Sequence, residues 1–148
     1  MTHPNAFDAE PIDLQQIRAQ EHVKRGLEVA ATGGHHVLLI GAPKAGKTVL
    51  ARALQGLLPP LSETEAAGVA TLAALAGASQ SEPTTARPWI APAPGVSAAA
   101  LFGRHVRRSR PGLVSLAHRG ILFLDDLPSF SARLIRLPAI LDDRAVTI

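Results

Sequence analysis

Two short apolar runs stand out along the chain, Val37-Leu38-Leu39-Ile40 and Ile121-Leu122-Phe123-Leu124. Each is four residues of mostly branched side chains bounded by turn-forming residues, the pattern of a parallel strand buried on both faces, so each predicts a buried strand. Helical spacing accounts for much of the rest. Val23, Leu27 and Ala30 share one face of a helix predicted over 16–31, which Thr32-Gly33-Gly34 would end. A second helix is predicted over 49–58, stopped by Pro59-Pro60. Ser62 and Glu65 form the S-x-x-E capping box in front of an alanine-rich helix reaching about residue 76. Residues 77–95 carry Pro83, Pro88, Pro92 and Pro94 and read as loop, with at most a short edge strand at Trp89-Ile90. A short helix over 97–102, a turn at Pro111-Gly112 and a helix over 113–118 complete the pattern. Residues 1–13 read as a loose polar lead-in, and 14–148 as a single core domain.

The segment between the first apolar run and its helix carries the chemistry. Gly41-Ala42-Pro43-Lys44-Ala45-Gly46-Lys47-Thr48 spells G-x-x-x-x-G-K-T, a phosphate-binding loop flanked by a strand and a helix. In that setting backbone N–H groups converge on an anion, and the helix dipole adds roughly half a positive charge. Lys47 would reach the β- and γ-phosphates, and the Thr48 hydroxyl would hold Mg²⁺. The bland alternative is a glycine-rich turn with one exposed lysine. The second apolar run ends in Asp125-Asp126. Four apolar residues followed by two acids, about 80 residues after such a loop, is the Walker B pattern, in which the first acid orders the Mg²⁺ shell and the second polarises the attacking water. The competing reading is a strand followed by a solvated acidic turn.

Composition narrows the classes. At 148 residues and 47% hydrophobic, the chain is globular, and with 3% aromatics its core must be aliphatic. It has no cysteine, which excludes disulfides, thiolate metal sites and a cysteine nucleophile and fits a reducing cytoplasm. The six histidines show no metal-ligand spacing. No signal peptide is apparent, and no apolar run is long enough to span a membrane. Charge is uneven: residues 1–100 carry a net −1, whereas 101–148 carry +4, concentrated at Arg104, Arg107, Arg108 and Arg110. Such a cluster can contact nucleic-acid phosphates, or it can be a solvated loop or subunit contact, and no aromatics interleave it for base stacking.

Further segments carry a resemblance. Arg18-Ala19-Gln20-Glu21-His22-Val23-Lys24-Arg25, Gly33-Gly34-His35-His36, Leu57-Leu58-Pro59-Pro60-Leu61-Ser62-Glu63, Arg87-Pro88-Trp89, Ser97-Ala98-Ala99-Ala100-Leu101, Arg110-Pro111-Gly112 and Ser115-Leu116-Ala117-His118-Arg119-Gly120 occur in order, together with the two apolar runs and Val146-Thr147-Ile148. In this the chain resembles the magnesium-chelatase-like AAA+ ATPases of the ComM/YifB competence-related branch, over roughly residues 12–148. The resemblance implies an α/β fold: a P-loop NTPase (AAA+) core, with a parallel sheet flanked by helices. It implies ATP and Mg²⁺ as cofactors and ring assembly as a homo-oligomer. The ComM branch is associated with DNA branch migration, and the chelatase branch with metal insertion into porphyrins. Nucleotide contacts follow for Gly41, Ala42, Pro43, Lys44, Ala45, Gly46, Lys47, Thr48, Val49 and Asp125, Mg²⁺ ligation for Thr48 and Asp125, and water positioning for Asp126. Ile17 and Gln20 are read as adenine-pocket residues.

The departures from that pattern matter equally. Lys44 stands where the family's loop has glycine, so a required positive φ would be strained there. Asp126 stands where the family has glutamate, and a carboxylate misplaced by about 1 Å can cost about 100-fold in rate. The family's R-A-P-H-H reads Ile90-Ala91-Pro92-Ala93-Pro94. Pro138 interrupts a helical pattern after Phe130. The sequence stops before the strand bearing sensor 1, before the arginine finger and before the lid. The core is therefore expected to be incomplete, with neither apolar run having a direct partner in the sheet. Two functions follow: an ATP-binding module with weak or no hydrolysis alone, or a non-catalytic interaction or DNA-contact protein using residues 104–110. A chain completed by a complementing polypeptide remains a third.

Overall fold

The computed structural model describes residues 12–77, 84–104 and 110–130. It divides into two compact units, one containing the described residues up to Pro60 and the other those from Leu61 onward.

In the first unit Asp13 opens a short 3-10 turn, Leu14–Gln16, by accepting from the Gln15 N–H. Ile17 is extended, and Ala19 and Gln20 both take left-handed backbone, with φ of 60°. Helix α1 therefore runs Glu21–Gly33, not from residue 16, because two consecutive left-handed residues cannot continue a right-handed helix. Gly34 ends it as expected, its N–H returning to the Ala30 carbonyl. Helix α2 runs Lys47–Leu57 and packs against both α1 and the 3-10 turn. Leu27, Ala30, Leu50, Ala51 and Ala53 are the buried apolar residues of the two helices.

Residues 37–40 do not form the strand their pattern predicts. They belong to no sheet among the described residues, and Leu38 and Ile40 are 66% and 87% exposed. An apolar run becomes a strand only when a second backbone takes up its N–H and C=O groups, and no described segment does so here. An open groove of about 470 Å³ lies between α1 and residues 35–40, bordered by Val23, Leu27, Leu38 and Ile40.

In the second unit the capping box is complete: Ser62 Oγ accepts from the Glu65 N–H, and Glu65 Oε2 accepts from the Ser62 N–H at 3.0 Å. Helix α3, Glu63–Leu75, follows, and Leu61, Ala66 and Val69 form a buried cluster. Strand β1, Trp89–Ile90, pairs in parallel with β4, Ile121–Leu122. The acid-bearing run thus has a sheet partner, contrary to expectation. Trp89–Ile90 is the short edge strand expected, one of the two strands of its sheet, and both residues are buried, at 6% and 5% exposed. The ladder continues past β4, with the Ile121 N–H donating to the Pro88 carbonyl and Phe123 N–H to that of Ile90, each at 2.8 Å. Trp89 and Phe123 stack with centroids 5.1 Å apart. Gly120 allows this approach, since a methyl group there would overlap the Pro88 backbone. The 121–124 run is half-buried and only its first two residues are strand, so the fully buried four-residue strand is corrected to a shorter, shallower one.

Helix α4, Ala98–Phe102, is capped by Ser97. Strand β2, Gly103–Arg104, pairs antiparallel with β3, Arg110–Pro111, so Pro111 lies in a strand and not a turn. Helix α5, Leu113–Leu116, is shorter than predicted and packs on α3 and α4. The mixed architecture, a small parallel pair with helices, fits a partial α/β core; residues after Phe130, including Pro138, lie outside the described residues.

Candidate functional site

The 41–48 loop enters α2 through Gly46, which serves as N-cap with φ 84° and ψ 13°. Glycine has no side chain to bond the first helical turn, and the N-cap position makes no side-chain hydrogen bond to it. The first N–H groups of an α-helix have no intrahelical partner, so α2 presents uncapped donors at the positive end of its dipole. Lys47, the first residue of the helix, turns its ammonium back over the loop: Nζ donates to the Gly41 carbonyl at 3.0 Å and the Ala42 carbonyl at 2.8 Å. The Ala45 N–H returns to the Ala42 carbonyl, closing the loop on itself. Lys44 does take positive φ, at 64°, which is the strained left-handed backbone expected where a glycine is missing. The Lys47 ammonium and the start of α2 thus lie on the same loop, the setting in which helix N-termini and cations attract anions.

Gln20 also reaches this loop. Its backbone carbonyl accepts from the Val23 and Lys24 N–H groups at the start of α1, while its side-chain Nε2 donates to the Ala45 carbonyl at 3.1 Å. The resemblance pointed to Gln20 as an adenine contact; the structure ties its amide to the loop. Its spacing of 25 residues from Ala45 left no local sign of that bond in the sequence. Ile17, the other adenine-pocket residue, is half-buried after the 3-10 turn.

Asp125 and Asp126 follow β4 in the second unit, both exposed. Asp125 Oδ1 accepts from the Asp126 N–H at 3.1 Å. Asp126 has φ 55° and caps the 3-10 turn Leu127–Phe130: its carbonyl accepts from the Ser129 N–H, and its Oδ2 accepts from Ser129 Oγ. The sequence reading missed Ser129. Its signal was present as D-L-P-S, an acidic N-cap with proline in the first turn. Thr48 and Asp125 both offer oxygen, the ligand chemistry that Mg²⁺ prefers. Among the described residues no group of three or more histidine, aspartate or glutamate side chains could hold a metal.

Elsewhere in the second unit, the Ser62 N–H donated to Glu65 holds its carboxyl below the usual glutamate value, and the charges of Arg119 and Arg87 act in the same direction. Arg119 Nη1 lies 3.3 Å from Glu65 Oε1, and Arg87 donates to the Arg119 carbonyl at 2.7 Å. This network is structural. Of the basic cluster, the backbones of Arg104 and Arg110 are paired across the β2–β3 hairpin, and Arg107 and Arg108 lie outside the described residues. Among the described residues no helix is long and apolar enough to cross a membrane.

Residues 13–148 match the model of the family described as magnesium chelatase, subunit ChlI. The chain is 47% identical over 122 residues to the uncharacterized protein YifB of Salmonella typhimurium, and 41% identical over 128 residues to the competence protein ComM of Haemophilus influenzae. These alignments cover 82% and 84% of this chain but 24% of either relative, so the chain spans about a quarter of their length. A shorter stretch of 46 residues, 31% of the chain and 7% of the relative, is 41% identical to the archaeal Lon protease of Archaeoglobus fulgidus. The match over nearly the whole sequence shows that this chain belongs to the magnesium chelatase ChlI family.

Proposed function

We propose that this chain is an ATP-binding module of the magnesium-chelatase-like AAA+ type, with weak or no hydrolysis on its own. The observation that carries the reading is the 41–48 loop. It joins an uncapped helix N-terminus to an ammonium folded over the same loop, a receptor for the phosphates of a nucleotide. The backbone from Gly41 to Val49 would wrap the phosphate chain. Lys47 would exchange its two carbonyl acceptors for β- and γ-phosphate oxygens, with a gain in charge-assisted bonding. The Thr48 hydroxyl would serve Mg²⁺, and family resemblance gives Asp125 as a further oxygen ligand. The ion, when bound, would neutralise phosphate charge and hold the phosphates in place.

Asp126 supports the weak-hydrolysis half of the reading. The carboxylate expected to position water is a methylene shorter than glutamate, and its Oδ2 already accepts from Ser129 Oγ. A side chain engaged in capping its own turn has less freedom to orient an attacking water.

An ATP titration tests the reading. Lys47→Ala is expected to weaken ATP binding by roughly 10- to 100-fold, the worth of a charge-assisted bond. Unchanged affinity in that variant would sink the proposal.

A further inference from the structure

The 41–48 loop is held from outside as well as from within. Lys47 makes its two bonds inside the loop, and these are the bonds it would give up to a phosphate. The Gln20 bond to the Ala45 carbonyl comes from a different element and makes no use of the phosphate-facing ammonium. Its origin is rigid. Gln20 and Ala19 are both left-handed without being glycine, a backbone state that persists only where its surroundings demand it. The Gln20 carbonyl is fixed in turn by the Val23 and Lys24 N–H groups.

We infer that Gln20 is a positioning residue for the phosphate loop: by holding the Ala45 carbonyl outward, it aims the Gly46 N–H into the loop. The reason is the planarity of the peptide bond. In a trans peptide the carbonyl of one residue and the N–H of the next point in opposite directions, so fixing one fixes the other. Gly46 needs this help more than any neighbour. Glycine reaches left- and right-handed backbone with little cost, so an unbraced Gly46 would sample orientations in which its N–H leaves the cradle. The inference rests on the nucleotide reading for its ligand, but the brace itself is a property of the free chain.

The test uses the full chain with Gln20→Met, which keeps side-chain length and removes the donor without adding charge, and Gln20→Ala as a second variant. Affinities for ATP and for inorganic tripolyphosphate are measured against wild type and Lys47→Ala. Amide hydrogen exchange across 41–48 is followed without ligand. Both Gln20 variants are expected to lose about fivefold in affinity for ATP and for tripolyphosphate alike, as for one neutral hydrogen bond. Exchange in the loop should quicken while α1 and α3 stay protected as in wild type. A loss for ATP with tripolyphosphate unchanged would make Gln20 an adenine contact and overturn the inference. Unchanged loop exchange would overturn it without reference to nucleotide. If Lys47→Ala weakens ATP and the Gln20 variants do not, the brace fails and the nucleotide reading stands; if Lys47→Ala has no effect, the nucleotide reading fails first.

Discussion

Residues 37–40 and residues 121–124 are near-equivalent as sequence, four apolar residues leading into a polar functional segment, yet they meet opposite fates. The second run is paired in parallel with Trp89–Ile90, carries an aromatic stack and is half-buried. The first is paired with nothing among the described residues, and Ile40 is almost fully exposed. The difference teaches that an apolar run states a preference for burial and a strand requires a partner. The functional segments follow suit. The 41–48 loop draws its geometry from its own residues, from the helix it starts and from Gln20, so it forms beside an unpaired run. Asp125 is delivered by a ladder whose other half lies some thirty residues earlier, at positions 88–90.

The sharpest way to break this contrast is Gly120→Ala. The added methyl group would meet the Pro88 backbone and separate β1 from β4, costing about 3 kcal/mol. Denaturant unfolding should register that loss, and ATP affinity per folded molecule measured without Mg²⁺ should survive it, because the 41–48 loop depends on other contacts and only the Asp125 ligand rides on this ladder. Wild-type stability in this variant would show that the parallel pair does not hold the second unit together.

Next in size is the capping box. Ser62→Ala removes the acceptor for the Glu65 N–H and should cost about 1 kcal/mol in the same assay. Acid sharpens the point. Glu65 has its folded pKa lowered from the ordinary 4.5, first by the Ser62 N–H and then by Arg119 and Arg87. Its contribution is therefore complete above pH 4.5 and is lost as pH falls through the lowered folded value. Glu65→Gln should flatten the stability profile in that window; an unchanged profile would remove Glu65 from the account.

Lys44→Gly addresses the loop. Relief of left-handed strain, set against the extra freedom that glycine gives the unfolded chain, should leave a gain of about 0.5 kcal/mol. A loss of stability would mean that the lysine side chain holds the turn. Smallest is Ile40→Thr. A side chain 87% exposed has little burial to lose, so the change should stay within about 0.5 kcal/mol. A cost well above that would reveal that this face is covered in solution, and the two apolar runs would be more alike than they look.

Much of the molecule was legible wherever a signal was local. The Ser62/Glu65 box, the Gly34 helix end, the Ser97-capped short helix and the glycine entry to α2 each depend on residues within a few positions of one another. Positive φ at Lys44 was readable through the resemblance, because the family's loop has a glycine there. Boundaries failed where a competing local bond was stronger than periodicity: the Asp13 cap and the left-handed Ala19 and Gln20 moved the start of α1 to Glu21. Ser129 was overlooked because its role depends on Asp126 acting as a cap, whereas the pattern pointed to Asp126 only as a water-positioning acid.

By itself, the sequence determined the family and the G-x-x-x-x-G-K-T loop, for a physical reason: eight adjacent residues carry the whole motif, and the helix that follows starts within it. Only the tertiary structure decided which apolar run became a strand, that Trp89–Ile90 would be its partner, and that the Gln20 amide would brace the loop from 25 residues away. Those choices depend on which backbone groups find each other across the fold, and spacing along a chain carries no record of that.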